Sequence, residues 1–150
     1  MMDNTHIRDL AASRFEAGYN CSQSVFSAFA ERLDLPVETA LKIAAPFGGG
    51  IGRLGEVCGA VSGALMALGL HAGHTAAQDP EAKERTYRMA RAFAAEFQRR
   101  HGCLTCRELL GCDIGTPEGQ QQAREAGLFK QRCPAFVSDA AEIAAAMMEG

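Results

Sequence analysis

The stretch FGGGIGRLGEVCGAVSGALMALGL, residues 47–70, decides the fold that this sequence predicts. Its first half is rich in glycine, which adopts backbone conformations that other residues avoid, and it therefore predicts a tight loop. Its second half is apolar but too short to span a bilayer, so we interpret it as a buried helix. Small residues recur every four positions, which predicts one smooth helix face for close packing against a neighbouring backbone. These residues are Gly55, Gly59, Gly63 and Ala67.

Apolar spacing and capping residues predict further helices on both sides of this stretch, and no segment has the alternating pattern of a strand. The expected helix starts are Thr5, Asn20, Pro36, Asp79 with Pro80, Thr105 with Glu108, Thr116 with Pro117, and Cys133 with Pro134. The helix after Pro80 is expected to bury Tyr87, Ala90, Phe93, Ala94 and Phe97. The last helix is expected to turn inward Phe136, Val137, Ala140, Ala141, Ala144, Met147 and Met148.

The sequence therefore predicts an all-α protein, a compact single-domain helical bundle over residues 1–150 in which the glycine-rich loop leads into a buried helix. A chain of 150 residues is long enough to bury a conventional core without covalent crosslinks. The net charge of -3 and the pI near 5.8 argue against nucleic acid and against an anionic membrane surface as partners. The N-terminal residues do not resemble a secretory signal, so we expect a cytoplasmic protein.

Six cysteines are the chemically distinctive residues of this sequence. A cytoplasmic thiol pool would keep them reduced, so metal binding or redox chemistry explains them better than a disulfide framework. Cys21, Cys58, Cys106 and Cys133 fall at or near expected helix N-termini, where free N–H groups and the helix dipole favour a thiolate. We therefore expect lowered thiol pKa values at these four positions. Cys103 and Cys112 do not share that placement.

At these cysteines the sequence resembles a known family, the C_GCAxxG_C_C proteins, which have four cysteines and a CGAxxG motif. The matching segments are NCSQSVF, FGGGIGRLGEVCGAVSGAL, CRELLGCD and GLFKQRCPAFV. The family's four cysteines correspond to Cys21, Cys58, Cys106 and Cys133. The resemblance implies a redox role, but it supplies neither a substrate nor a reaction.

Two neighbouring patterns have less specific interpretations. Gly50, Gly52 and Gly55 spell GxGxxG, but no strand precedes them and no ribose-binding acid follows, so a dinucleotide site is disfavoured. We expect this loop instead to bring Cys58 and backbone amides to the site. Arg53 and Arg107 are close in sequence to candidate thiolates and would either stabilise their charge or be solvated.

Three functions are compatible with four thiols. They can ligate an iron–sulfur cluster that transfers electrons, which is the interpretation we favour from the sequence because four cysteines share one electrostatic setting. Two of them can instead exchange a disulfide without metal, as in a thiol oxidoreductase or a redox sensor. The third alternative is a structural zinc site in an interaction module. Either redox function requires a redox partner that the sequence does not identify, and a homodimer is compatible with it.

Overall fold

The computed structural model describes residues 4–149 and is all-α, as predicted. Its helices are α1 (Asn4–Glu16), α2 (Cys21–Ala28), α3 (Val37–Ala44), α4 (Gly59–Ala72), α5 (Pro80–His101), α6 (Cys106–Leu110), α7 (Pro117–Glu125) and α8 (Leu128–Glu149). A short 3-10 turn, Ala45–Phe47, and a tight glycine turn, Gly48–Ile51, connect α3 to the loop before α4. Within the described residues the only β pairing is an isolated bridge between Val57 and Thr105.

Helix α8 is the centre of the bundle. It packs against α1, α2, α4 and α5, and its small residues allow these neighbours to approach. The largest fully buried side chains of the surrounding helices include Ile7, Phe29, Leu68, Phe93 and Phe97. Burying apolar surface of this kind is the main favourable term in folding. Within residues 4–149 no helix combines the length and the hydropathy needed to cross a bilayer.

Local capping signals fix most helix starts where the sequence predicted them. The Asn20 side chain accepts the Gln23 N–H while the Gln23 side chain accepts the Asn20 N–H, which completes a capping box. Asp79 caps α5 in front of Pro80, and the hydroxyl of Thr105 accepts the Glu108 N–H at the start of α6. The start of α7 at Thr116 is likewise confirmed, and α6 ends at Gly111, which has a left-handed conformation.

Three predicted details of the helices are wrong. Thr5 lies inside α1, which already includes Asn4, so it is not the N-cap. Tyr87 is 46 % exposed, whereas Phe93 and Phe97 are buried, because only the second half of α5 is covered by the bundle. The last helix begins at Leu128 rather than at Pro134, which stands inside it.

The extension of α8 before Pro134 has an identifiable cause. Proline removes one helical N–H donor and crowds the preceding turn, so a helix normally begins at proline instead of continuing through it. Here the Arg132 side chain donates to the carbonyls of Leu109 and Leu110 at 3.1 and 3.2 Å. These bonds satisfy the C-terminal carbonyls of α6 and tie residues 128–133 to it. Tertiary contacts thus hold a helical turn that proline alone disfavours.

The small-residue face of α4 is confirmed at two positions and corrected at a third. A Cβ on Gly59 would lie 3.0 Å from the Ser22 nitrogen, and one on Gly63 would lie 2.6 Å from the Ser22 oxygen. The α2 backbone therefore rests directly on these glycines. Gly55 precedes the helix and faces Arg107 instead, because α4 begins only at Gly59.

Replacing Gly63 with alanine tests this close approach. We expect the variant to lose about 1 to 3 kcal/mol of unfolding free energy, because the added methyl meets backbone atoms of α2 that cannot turn aside. Gly69→Ala is the matched control in the same helix, since nothing lies within 4 Å of its built Cβ. The control should gain up to about 1 kcal/mol from helix propensity. Urea denaturation of both variants measures the difference, and equal changes would contradict the packing role of Gly63.

Candidate functional site

The four cysteines that correspond to the family motif line a single cavity of about 470 Å³. Cys21 begins α2, Cys58 precedes α4, Cys106 begins α6, and Cys133 lies in the second turn of α8. Cys58, Cys106 and Cys133 are buried, while Cys21 is partly exposed. The structure therefore brings together residues that are far apart along the chain.

Backbone pairing between two loops places Cys58 beside Cys106. The Cys58 N–H donates to the Leu104 carbonyl at 2.8 Å, and the Cys106 N–H donates to the Glu56 carbonyl at 2.6 Å. A third bond runs from the Arg107 N–H to the Gly55 carbonyl at 3.0 Å. This short ladder joins the end of the glycine-rich loop to the start of α6.

Gly50 makes that ladder sterically possible. A Cβ at this position would lie 2.6 Å from the Glu56 nitrogen and oxygen and 2.8 Å from the Cys106 Cβ. Gly50 also has a φ of 67°, a left-handed conformation that side chains rarely adopt. The predicted role of the loop, bringing Cys58 into the site by close backbone passage, is thus confirmed. No strand precedes the GxGxxG pattern within residues 4–149, so the structure provides no context for a dinucleotide site.

Five consecutive residues, 49–53, have positive φ angles between 54° and 69°. They form a left-handed turn that includes Ile51 and Arg53, neither of which is glycine. A β-branched residue in this conformation is a rare and costly case, and such strain concentrates at functional sites. The sequence signalled the glycines but not the positive φ angles of Ile51 and Arg53.

Cys21 and Cys133 lie on the same cavity wall and act as a hydrogen-bonding pair, in which each thiol shifts the pKa of the other. This bond raises the pKa of Cys21 well above its ordinary value, and burial raises it further. The same bond lowers the pKa of Cys133, although burial opposes the change. These directions describe a pair in which the Cys21 thiol donates to a Cys133 thiolate.

Burial is the largest influence on the pKa values of the other two thiols, Cys58 and Cys106. It raises the pKa of Cys58 to about 12, although the N–H groups of Ala60 and Val61 bond to its sulfur and oppose the shift. Burial likewise raises the pKa of Cys106 to about 11. The expectation of four lowered pKa values is therefore wrong for Cys58 and Cys106, where desolvation of the thiolate outweighs the helix terminus. It is also wrong for Cys21, where the hydrogen bond with Cys133 raises the pKa more than burial does.

The expected placement of Cys133 is also wrong. It lies inside α8 rather than at an N-cap, so the helix terminus is not the cause of its lowered pKa. The cause is instead the neighbouring Cys21 thiol, a contact that no local sequence pattern reveals.

The remaining two cysteines lie outside the cavity lining. Cys112 is buried and donates to the Gly119 carbonyl at 3.1 Å. Cys103 is partly exposed, and burial together with the charge of Glu108 raises its pKa. Neither thiol lines the cavity, so the structure separates the six cysteines into four on the cavity wall and two others.

The sequence missed several polar and aromatic residues of the cavity wall. Arg124 and Gln120 line it together with Arg53, and no local motif marks either of the first two. Phe129 also lines it and lies in the segment GLFKQRCPAFV, but nothing in that segment marks it as a wall residue. Arg107, by contrast, does not line it. Its guanidinium donates to the Leu54 carbonyl at 3.0 Å and pairs with Glu56 and Asp113 at 3.5 and 3.7 Å.

The donor atoms surround the cavity rather than one point inside it. Within residues 4–149 no three His, Cys, Asp or Glu side chains are gathered closely enough to hold one metal ion. A single tetrahedral ion would require all four sulfurs at about 2.3 Å from it. The arrangement is therefore a thiol-lined cavity in which Cys21 and Cys133 interact as a pair.

A sequence model of the family described as "Putative redox-active protein (C_GCAxxG_C_C)" matches residues 19–147. The matched range contains the glycine-rich loop and all four cavity cysteines. Comparisons with curated proteins and with solved structures give no match. The resemblance drawn from the motifs is thus confirmed over most of the chain.

The raised pKa values of Cys58 and Cys106 predict a loss of stability at alkaline pH. In the unfolded chain both thiols ionise near their ordinary pKa of about 8.5, whereas in the fold they keep their protons to about pH 11 or 12. The unfolded state then binds fewer protons, so each thiol lowers the unfolding free energy by about 1.4 kcal/mol per pH unit above pH 9.

Urea denaturation of the reduced protein between pH 8 and pH 10.5 measures this slope. Cys58→Ala should remove one thiol's share of it. Val61→Ala, a truncation of a buried neighbour in α4, should lower stability at every pH and leave the slope unchanged. Identical slopes for the Cys58 variant and the native chain would contradict the buried, protonated state of Cys58.

Proposed function

This chain belongs to the C_GCAxxG_C_C family, and we propose that it carries out thiol–disulfide redox chemistry on the pair formed by Cys21 and Cys133. The observation that supports this most directly is the hydrogen bond between the two thiols on the wall of the cavity. Two thiols that interact on one cavity wall are placed to pair as a disulfide once their sulfurs meet. The cavity beside them gives a small reactant access to a sulfur that is otherwise buried.

The reaction is an exchange with a disulfide substrate. The Cys133 thiolate attacks one sulfur of the substrate, its disulfide bond breaks, and the first substrate thiolate leaves. The Cys21 thiol then loses its proton and attacks the Cys133 sulfur of this mixed disulfide, which releases the second thiolate. Two electrons pass from the protein to the substrate, and the protein retains a Cys21–Cys133 disulfide. A dithiol donor reverses both steps and regenerates the pair.

The different environments of the thiols assign these roles. Cys133 is the nucleophile because the Cys21 hydrogen bond lowers its pKa and so increases the thiolate fraction at neutral pH. Cys21 is the resolving thiol because it is adjacent and keeps its proton until the first step has removed the negative charge on Cys133. Cys58 and Cys106, with pKa values of about 12 and about 11, stay protonated at neutral pH and are therefore poorer nucleophiles than Cys133, whose pKa is lowered.

Cluster ligation is a second candidate, and one separate observation favours it. Four thiols from four separate elements line one cavity, and the Cys58 sulfur already receives two backbone N–H bonds of the kind that tune iron–sulfur centres. Cys21, Cys58, Cys106 and Cys133 would be the ligands, and the cluster would supply one-electron transfer. The sequence ranks this function first. We rank disulfide exchange first because the contact between Cys21 and Cys133 serves exchange directly.

Trapping experiments test the proposed exchange. We expect the reduced protein treated with bis(2-hydroxyethyl) disulfide to become two mass units lighter, with peptide mapping assigning the new bond to Cys21 and Cys133. Cys21→Ser should retain one hydroxyethylthio group on Cys133, because the resolving thiol is absent. Cys133→Ser should react about tenfold more slowly than the native chain, or more slowly still. The variant lacks the thiol whose pKa is lowered, and each pKa unit changes the thiolate fraction about tenfold.

Cys103→Ser is the control for these variants because Cys103 is a partly exposed thiol outside the cavity lining. It should form the same internal disulfide as the native chain. A bond mapped to another pair, or no internal bond under these conditions, would show that Cys21 and Cys133 are not the redox pair.

Anaerobic purification tests the cluster candidate. A cluster protein would be coloured and contain iron with acid-labile sulfide, and serine at any of the four positions would remove most of both. We expect instead a colourless protein with neither iron nor sulfide, in which Cys133 is alkylated below its ordinary thiol pKa. Iron and sulfide in stoichiometric amounts would overturn this expectation, whereas zinc without sulfide would favour a structural site.

A further inference from the structure

The cavity wall carries positively charged side chains that the redox proposal does not explain. Within its described lining, Arg53 and Arg124 are the charged side chains other than the cysteines, and no carboxylate is present. This local positive charge contrasts with the net charge of -3 of the whole chain. Arg53 lies in the glycine-rich loop, and Arg124 lies in α7.

Neither of these arginines has an acidic partner. Other arginines of the chain are paired, such as Arg8 and Arg100 with Glu142 at 2.9 and 2.8 Å. Within residues 4–149, the guanidinium groups of Arg53 and Arg124 form no ion pair and no side-chain hydrogen bond. A guanidinium offers several N–H donors that match the two oxygens of a carboxylate. The two free groups thus provide unused anion-binding capacity at a cavity wall.

The backbone holds Arg53 in this place at a cost. Its φ of 68° belongs to the left-handed turn 49–53, a conformation in which residues with a Cβ are unfavourable. A Cβ on Gly49 would lie 2.9 Å from the Arg53 Cγ, so the arginine stem folds across that glycine. Strain retained beside a cavity is a feature typical of binding sites.

The rest of the wall is apolar and contains the aromatic side chains Phe15, Phe129 and Phe136 beside Leu109 and Ile114. A volume of about 470 Å³ is within the range of small-molecule sites, which combine an apolar wall with a few convergent polar groups. The cavity therefore suits a molecule with an apolar body, an anionic end, and a sulfur that reaches Cys133.

We infer that the substrate is a small organic disulfide, or the corresponding thiol, whose carboxylate is bound by Arg53 and Arg124. The sulfur part of this inference rests on the proposed function, whereas the recognition of the carboxylate does not. The chemistry is the exchange already described, with the carboxylate positioning the substrate and taking no part in bond making.

Rate constants with matched disulfides test the inference. The dianion 3,3′-dithiodipropionate should oxidise the reduced native protein faster than neutral bis(2-hydroxyethyl) disulfide, although the protein and the attacking thiolate are both negative. Arg53→Gln and Arg124→Gln should each lower the ratio of the two rate constants about tenfold, the effect expected for loss of one charged hydrogen-bond partner. Arg53→Lys should restore part of the ratio.

Arg85→Gln is the control for net charge. Arg85 is exposed on α5, outside the cavity, and its loss should leave the ratio at the native value. An unchanged ratio in both cavity variants, or an equal fall in the Arg85 variant, would overturn the inference while the disulfide chemistry stands.

A binding measurement tests carboxylate recognition independently of the proposed disulfide exchange. The thioether 3,3′-thiodipropionate carries the same carboxylates but no disulfide, so calorimetry can measure its binding to a protein without redox thiols. We expect it to bind the Cys21→Ser/Cys133→Ser double variant, and the additional Arg124→Gln change to weaken binding about tenfold. If the double variant binds the thioether but the native chain exchanges no disulfide, carboxylate recognition is supported and the proposed function is rejected. No binding would reject the recognition.

Discussion

The short backbone ladder between residues 55–58 and residues 104–107 is the constraint on which the site depends. It joins two loops that the chain reaches through separate helices, and it places Cys58 and Cys106 on the same wall. The ladder can form only because Gly50 has no side chain, since a Cβ there would meet the Glu56 backbone and the Cys106 side chain. A second glycine contact, between Gly63 and Ser22, sets how closely α2 approaches and therefore where Cys21 stands. These glycines thus allow two backbone segments to approach more closely than a side chain would permit.

Burial decides the pKa values of Cys58 and Cys106, whereas the pKa values of Cys21 and Cys133 depend first on the interaction between these two thiols. A helix N-terminus stabilises a nearby anion by about 0.3 to 1 kcal/mol at exposed sites, whereas removal of a thiolate from water costs much more. Cys58 illustrates the balance, since two backbone N–H bonds to its sulfur do not prevent a pKa of about 12. Only Cys133 gains from its surroundings, because a neighbouring thiol donates to it. In the proposed exchange, this asymmetry makes Cys133 the attacking thiol and Cys21 the resolving thiol.

The fold was predictable wherever the signal is local. Asn20, Asp79 and Thr105 cap helices through bonds to residues three positions away, so the sequence determined these starts correctly. The four cavity cysteines were also predicted as a set, partly from helix positions and partly from the family resemblance. The roles within the set were not, because the contact between Cys21 and Cys133 joins residues more than a hundred positions apart. Pro134 was misread since Arg132 binds α6 carbonyls that are invisible to a local pattern. Arg124 carries no motif and is recognised only by its place on the cavity wall.

The proline inside α8 also has a mechanical consequence for the thiol next to it. Pro134 lacks the N–H that would close the hydrogen bond to the Lys130 carbonyl, so the turn containing Cys133 is joined less firmly to the rest of the helix. Residues 128–133 are restrained instead by Arg132 and by their contacts with α6. In the proposed exchange, a movement of the Cys133 sulfur is therefore accommodated in this turn, which Arg132 anchors to α6, more easily than in the segment after Pro134, which the bundle buries. Pro134 marks the boundary between these two parts of the helix.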